Sequence, residues 1–188
     1  MATKTRKMTL GVAALVIASL AVVNQATASH NALHKAFSGG ATFKGLVVKT
    51  ESASKAITSV VSDFETVDSR SFQIPAGDSE LIVVDFSAET FCSGSGRCRA
   101  RVMIGRTLGT AQQAEPAVQG TFLDTASDDG VESHAMTGSL CVRNATSSPV
   151  DLSVWLQATR ADSGTLFTLD RYSLKIARNS PCTPAVNI

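Results

Sequence analysis

The chain has 188 residues, of which 44% are hydrophobic and 18% charged, so it is long enough for one domain with a core and too apolar for a disordered protein. The formal net charge is only +1 and no run of like charges is present after the first 28 residues, which argues against nucleic acid as a partner. No internal repeat, proline-rich linker or low-complexity tract divides the sequence.

The first 28 residues have the layout of a secretory signal peptide. Lys4, Arg6 and Lys7 form a basic start, residues 8–23 are almost entirely apolar, and Ala26-Thr27-Ala28 supplies the small residues of a cleavage site. The apolar run is shorter than the roughly 20 residues of a membrane-spanning helix. We therefore expect cleavage after residue 28, no membrane anchor on the mature chain, and a secreted or periplasmic protein. Its formal charge would be −2, because 14 basic residues then face 16 acidic ones.

Residues 29–41 are predicted to form an N-terminal segment that precedes the main domain. Apolar side chains share one face of a short helix over residues 31–37, and Gly39 and Gly40 end the pattern. His30 would be the second residue of the mature chain, one position short of an amino-terminal copper or nickel chelate. We therefore interpret His30 and His34 as solvated side chains.

From residue 42 to residue 188 apolar and polar residues alternate with a period of two, which is typical of β-strands. In residues 81–88 both faces begin apolar, which indicates a central strand. Turns rich in Gly and Pro separate the runs, and no strand–helix–strand alternation is present. The sequence therefore predicts one all-β domain over residues 42–188, an antiparallel β-sandwich. The predicted strands are residues 43–50, 57–64, 71–74, 81–88, 99–104, 117–123, 133–142, 150–159 and 171–176.

Four cysteines in an exported chain predict two disulfides, and three pairings are possible. Cys92 and Cys98 flank a Ser/Gly loop between two predicted strands, which favours a hairpin closed by one bridge. Cys141 and Cys182 would then pin the C-terminal tail to the sheet. A phosphate-binding loop, a zinc site and a redox pair fit less well, because no Lys-Ser/Thr and helix follow the glycines, no second Cys/His pair is near, and the motif is not Cys-x-x-Cys.

The stretch that starts with Phe86-Ser87-Ala88-Glu89 and runs through the cysteine loop to Arg99–Gly105 resembles a group of small exported bacterial proteins. In that group an FSAE-like strand is followed by a strand that reads roughly V-R-V-x-V-D-G. The similarity continues loosely at residues 133–136 and 169–174, and Ile104 stands where the group has Asp before the glycine. The resemblance implies a jelly-roll β-sandwich of unknown function over about residues 43–178.

His134 is the one histidine inside the predicted domain, close in sequence to Ser133 and Ser139. A Ser-His-Asp triad requires a nucleophile on a strained turn, and the sequence contains no Gly-x-Ser-x-Gly motif. We therefore predict no catalytic residues and no enzyme activity.

The densest acidic cluster is a candidate for calcium, because its members offer the hard oxygen ligands that this ion prefers. Its spacing does not match an EF-hand loop, and acidic residues are also common in turns. The cluster consists of Asp124, Asp128, Asp129 and Glu132.

Trp155, the single Trp, lies on the polar face of its predicted strand between Ser153 and Gln157. Exposed, it could stack on sugar rings; we expect it instead to be mostly buried, as large aromatic residues usually are. The sequence therefore favours a non-enzymatic exported sandwich that acts by surface binding or assembly, without a cofactor. Its partner would be extracellular or on the cell surface, and a homo-oligomer is one form this could take. The alternatives are a carbohydrate-binding module and an unrecognised hydrolase or metal-binding protein.

Overall fold

The computed structural model describes residues 42–60, 63–94, 96–115 and 130–188, together with the backbone of residues 121–125. The predicted signal peptide, the helix expected at residues 31–37, His30 and His34 lie outside these residues. Within them the chain is all-β, apart from one short 3₁₀ helix at Leu108–Thr110. The strands are β1 (Thr42–Glu51), β2 (Lys55–Ile57), β3 (Glu65–Ile74), β4 (Ser79–Ser93), β5 (Arg97–Gly105), β6 (Gln112–Gln113), β7 (Thr121–Thr125), β8 (Val131–Arg143), β9 (Val150–Arg160), β10 (Leu166–Ser180) and β11 (Val186–Asn187).

Two sheets form a sandwich, which confirms the predicted fold. Sheet A has the order β1-β10-β4-β8-β11, and β2 also pairs with β10. Sheet B has the order β3-β9-β5-β6, and β7 also pairs with β5. The strand pairs are antiparallel except that β11 runs parallel to β8.

The core lies between the sheets and is built from alternate residues of the long strands, because successive side chains of a strand point to opposite faces. In β9 the predicted inner face is confirmed, and Leu152, Val154 and Leu156 have no solvent exposure. β4 is central, as its two apolar faces predicted. The largest buried side chains are Phe86, Phe167, Ile57, Ile74, Ile82, Ile104, Leu152, Leu156, Leu169, Leu174 and Ile176.

The predicted disulfide pairing is confirmed, but the hairpin expected at the first bridge is wrong. Cys92 bonds to Cys98 with 6.1 Å between their Cα atoms. Their strands, β4 and β5, belong to different sheets, so the bridge joins the two layers of the sandwich. A disulfide spans both geometries equally well, so cysteine spacing does not distinguish them. The connection needs Gly94, whose φ is +110° and whose added Cβ would lie 2.6 Å from the carbonyl oxygen of Gly164.

The second bridge holds the C-terminal tail, as predicted. Cys141 in β8 bonds to Cys182 with 5.9 Å between the Cα atoms. The tail then forms β11, the N–H of Ile188 donates to the carbonyl of Arg143 at 3.0 Å, and the Ile188 side chain packs against the core.

The strand predicted over residues 57–64 is also wrong. β2 ends at Ile57, and the following chain makes only an isolated parallel bridge, from Val60 to Arg160 at the end of β9. The cause is the carboxylate of Glu65, which accepts hydrogen bonds from the N–H groups of Thr58 and Ser59 at 2.8 and 3.0 Å. These bonds hold the chain in a turn-like path and take N–H groups that a strand would use in a ladder.

Candidate interaction surface

The outer face of β1 carries a larger number of exposed, large apolar side chains than any other strand that the structure describes. Among the described residues, β1 lies at the edge of sheet A and pairs with β10 on one side only. Phe43, Leu46 and Val48 are 59%, 56% and 50% exposed. The remaining large exposed apolar residues of the described chain, Leu108 and two others at strand starts, are scattered over separate elements. An apolar strip on an edge strand is a common feature of interaction sites.

The strip continues from the edge towards the middle of sheet A. Leu46 lies opposite Ala177 of β10, which in turn lies opposite Val83 of β4, and both of these are part-buried. We call Phe43, Leu46, Val48, Ala177 and Val83 together the β1 surface. Farther along the same face the sheet becomes polar.

The inner face of β1 is fixed to sheet B by a cluster of charged and polar groups. The Nζ atom of Lys49 lies 3.0 Å from Oδ2 of Asp68, and the Tyr172 hydroxyl donates to the same oxygen at 3.2 Å. The hydrogen bond with Asp68 raises the pKa of Lys49, and desolvation raises the pKa of Tyr172. Arg70 also lies 3.2 Å from Asp68. These contacts hold β1 in place, so the β1 surface is presented by an anchored strand.

The opposite edge of sheet A is covered in part by the chain itself. β11 pairs with β8 there, and Glu115 exchanges two backbone hydrogen bonds with Ser139, at 2.8 and 2.9 Å. A pocket of about 200 Å³ remains at this seam, with Ile104, Leu140 and Ile188 in its lining. Its walls bring no pair of acid–base or nucleophilic side chains together, so the pocket supplies no catalytic geometry.

His134 lies on the inner face of β8, where its Nε2 atom is 3.1 Å from Oε2 of Glu132. Ser133 and Ser139, its neighbours in the sequence, fall on the opposite face of the strand because of the two-residue period. The structure therefore does not bring these serines to the histidine.

The acidic cluster is described only in part. Glu132 is engaged with His134, and Asp124 pairs with Cys98 through the backbone of β7. Asp128 and Asp129 lie outside the described residues. Among the residues that the structure does describe, no group of three or more His, Cys, Asp or Glu side chains could hold a metal ion. Calcium binding by the complete cluster stays a prediction.

Trp155 has most of its surface covered, as expected, but it lies outside the core between the sheets. It lies on the outer face of sheet B between Ser69 of β3 and Met103 of β5, and it is part-buried. The reason is the strand period: the neighbouring residues of β9 face the core, so Trp155 points outward. Nearby, the Arg101 guanidinium stacks 3.8 Å from the centre of the Phe64 ring.

The sequence indicated β1 as a strand but missed its part in a surface. Apolar residues occupy both faces of residues 43–50, a pattern that a buried central strand shows equally well. Whether such a strand lies at an edge depends on its pairing with distant residues, here those of β10. No local signal in the sequence gives that pairing.

No family model matches the chain, and no curated protein matches it. Among solved structures, it is similar to the VP2 subviral particle of infectious bursal disease virus, with a TM-score of 0.44 and 16% identity over 72% of this chain and 33% of that one. The T13 particle of the same virus gives a TM-score of 0.40 and 13% identity, over 76% and 41%. Dimeric latent PorU from Porphyromonas gingivalis gives 0.32 and 14%, over 76% and 14%. The chain thus spans about a third of the length of the VP2 structure. In the described residues no helix has the length and apolar character to span a bilayer.

Proposed function

We propose that this protein is a non-enzymatic β-sandwich that works outside the cytoplasm by associating through the β1 surface. The two disulfides support export, because such bonds persist in oxidising compartments. The signal-like first 28 residues support it as well.

One observation carries the assignment of the surface: Phe43, Leu46 and Val48 are each at least half exposed on one anchored edge strand. Leaving them in water forgoes the burial of apolar area, which is the main favourable term in most protein association. A partner that covers this strip would recover that term.

A second candidate function is carbohydrate binding centred on Trp155. It is favoured by the outward position of this ring beside Ser69 and Ser153, since an indole with polar neighbours can stack on a sugar face and bond its hydroxyls. Met103 on the other side makes the surroundings less polar than the sequence suggested.

The test is retention of the mature protein on cell-envelope material from its source, measured for matched variants. We expect Leu46→Ser/Val48→Ser to lose about tenfold or more in affinity, because two apolar contacts are removed. Val131→Ser/Leu166→Ser is the control, since these side chains are equally exposed on other strands. Circular dichroism must show that every variant keeps its β-structure.

Two further variants separate the alternatives. Trp155→Ala and His134→Ala should both keep full retention if the β1 surface is the site. Loss of retention in folded Trp155→Ala, with the β1 variant intact, would favour the carbohydrate-binding module. Loss of function in folded His134→Ala would contradict the non-enzymatic proposal.

A further inference from the structure

We infer that a second copy of this chain occupies the β1 surface, with the β1 strands of the two copies paired antiparallel. Their two A sheets then form one continuous sheet across a twofold axis. The inference rests on the proposed function and names the partner for the same surface. An antiparallel strand pair is self-complementary, which is the requirement for a closed twofold interface.

The side chains of β1 select one register. When Val47 lies opposite Val47 of the copy, Leu46 lies opposite Val48 of the copy, and the reverse contact repeats on the other side of the axis. The two outer-face contacts then bury four exposed apolar side chains, and Val47 adds a contact on the inner face. A shift of two residues in either direction places Val48 opposite Lys44, or Leu46 opposite Thr50, and breaks this match.

Charge supports the same arrangement. The register places Lys44 opposite Thr50 and Lys49 opposite Gly45, so no like charges lie opposite each other; Lys44 and Glu51 keep their partners Asp78 and Lys49 within each copy. Natural edges often carry an inward-pointing lysine that discourages pairing. Lys49 does not act in this way, because its ammonium group lies 3.0 Å from the carboxylate of Asp68 in sheet B, on the inner face of β1.

The two edges of sheet A also differ in how far other parts of the chain cover them. The end of β8 is covered at Val142 and Arg143 by β11, which the Cys141–Cys182 bridge keeps in place. In the described residues β1 has no such cover, and it carries three large exposed apolar side chains where β8 carries only Val131. An open edge of this kind pairs readily with another strand.

Cysteine cross-linking of the full mature chain tests the register. Directly opposite residues of an antiparallel pair have Cα atoms roughly 4.5–5.5 Å apart, which a disulfide can span. We expect Val47→Cys to give a covalent dimer on oxidation. Leu46→Cys and Val48→Cys should each self-link poorly but link well when the two variants are mixed. Val131→Cys is the exposed control and should form no covalent dimer. Efficient self-linking at position 46 or 48 instead would overturn the register.

Sedimentation measures the association itself, independently of any cysteine. Wild-type protein should sediment as a dimer, Leu46→Lys/Val48→Lys as a folded monomer, and Val131→Lys/Leu166→Lys as a dimer. A dimer that survives the β1 substitutions overturns the inference.

A wild-type monomer overturns it as well. If such a monomer still loses envelope retention in Leu46→Ser/Val48→Ser, the proposed function stands with another partner. If its β1 amides are nevertheless protected from hydrogen exchange, the occupant is another segment of the same chain.

Discussion

Arg178 joins the two sheets at a carboxylate that has no contact with solvent. Its Nε and Nη2 atoms bind the two oxygens of Glu80 at 2.8 and 2.9 Å, and Nη2 also donates to the carbonyl of Gln73 at 2.7 Å. The Glu80 side chain is 0% exposed. The guanidinium lies 4.5 Å from the centre of the Phe72 ring. One side chain thus satisfies groups of β3 and β4, on opposite sides of the core.

We expect Arg178→Met to destabilise the protein strongly. The substitution leaves a buried carboxylate unpaired, and breaking such a pair typically costs about 3–5 kcal/mol. Glu80→Gln/Arg178→Met should recover part of this loss, because the buried charge is then absent. Urea unfolding of both variants measures the effect, with Arg143→Met as an exposed control. A loss below about 1 kcal/mol, the range of surface ion pairs, would show that the pair is not isolated from water.

At the scale of elements, β1 depends on the cluster of Lys49, Asp68 and Tyr172 for its attachment to sheet B. The hydrogen bond to Asp68 raises the pKa of Lys49, and burial raises the pKa of Tyr172. A raised pKa in the folded state means that the protonated form is favoured by folding. The resulting stability is complete below the ordinary pKa values, about 10 for both groups, and is lost as the pH rises through the folded ones.

We therefore predict that the free energy of unfolding falls as the pH rises above about 10. The fall should be shallower in Lys49→Met, because one of the two coupled groups no longer titrates. Lys175→Met is the matched control, since this lysine is exposed on the neighbouring strand β10. The measurement is urea unfolding at several alkaline pH values. Equal slopes for wild type and Lys49→Met would contradict the role given to the cluster.

Local sequence patterns predict some of these strands and not others. The long strands were predictable because their apolar residues alternate, as in β9. The first half of β3 was missed because residues 65–70 are mostly polar, and Asp68 is buried only through partners on β1 and β10. The path after Ile57 was missed because the Glu65 carboxylate overrides an apolar pattern. Each of these two errors comes from a contact between particular side chains and their partners, which the alternation of apolar and polar residues does not reveal.

For the whole molecule, the sequence predicted the sandwich and both disulfides but not which strands share a sheet. The assignment of β4 and β5 to different sheets depends on pairing with β10 and β9, whose partner residues lie 48 or more positions away. The candidate surface depends on the same long-range pairing, since it makes β1 an edge. The residues of the β1 surface, apart from Ala177 just past the end of its predicted strand, were therefore predicted as strand residues but not as a site.

The two disulfides should respond differently to reduction of the native protein. Cys92 and Cys98 are 0% exposed between the sheets, whereas Cys141 and Cys182 are part-buried at the tail. A reductant must reach a sulfur atom to attack it, so the tail bridge should open first. The species that has lost this bridge should be less stable by about 4 kcal/mol at most, the chain-entropy value for a loop of roughly 40 residues.

Stepwise reduction, alkylation and peptide mapping identify which bridge has opened, and urea unfolding of the trapped species gives its stability. Loss of the Cys92–Cys98 bridge should require global unfolding, because opening the sandwich exposes both sheets together. A Cys141→Ala/Cys182→Ala variant provides the control, since its remaining bridge should resist the reductant until the protein unfolds. Reduction of Cys92–Cys98 in that variant under native conditions would contradict its place between the two layers.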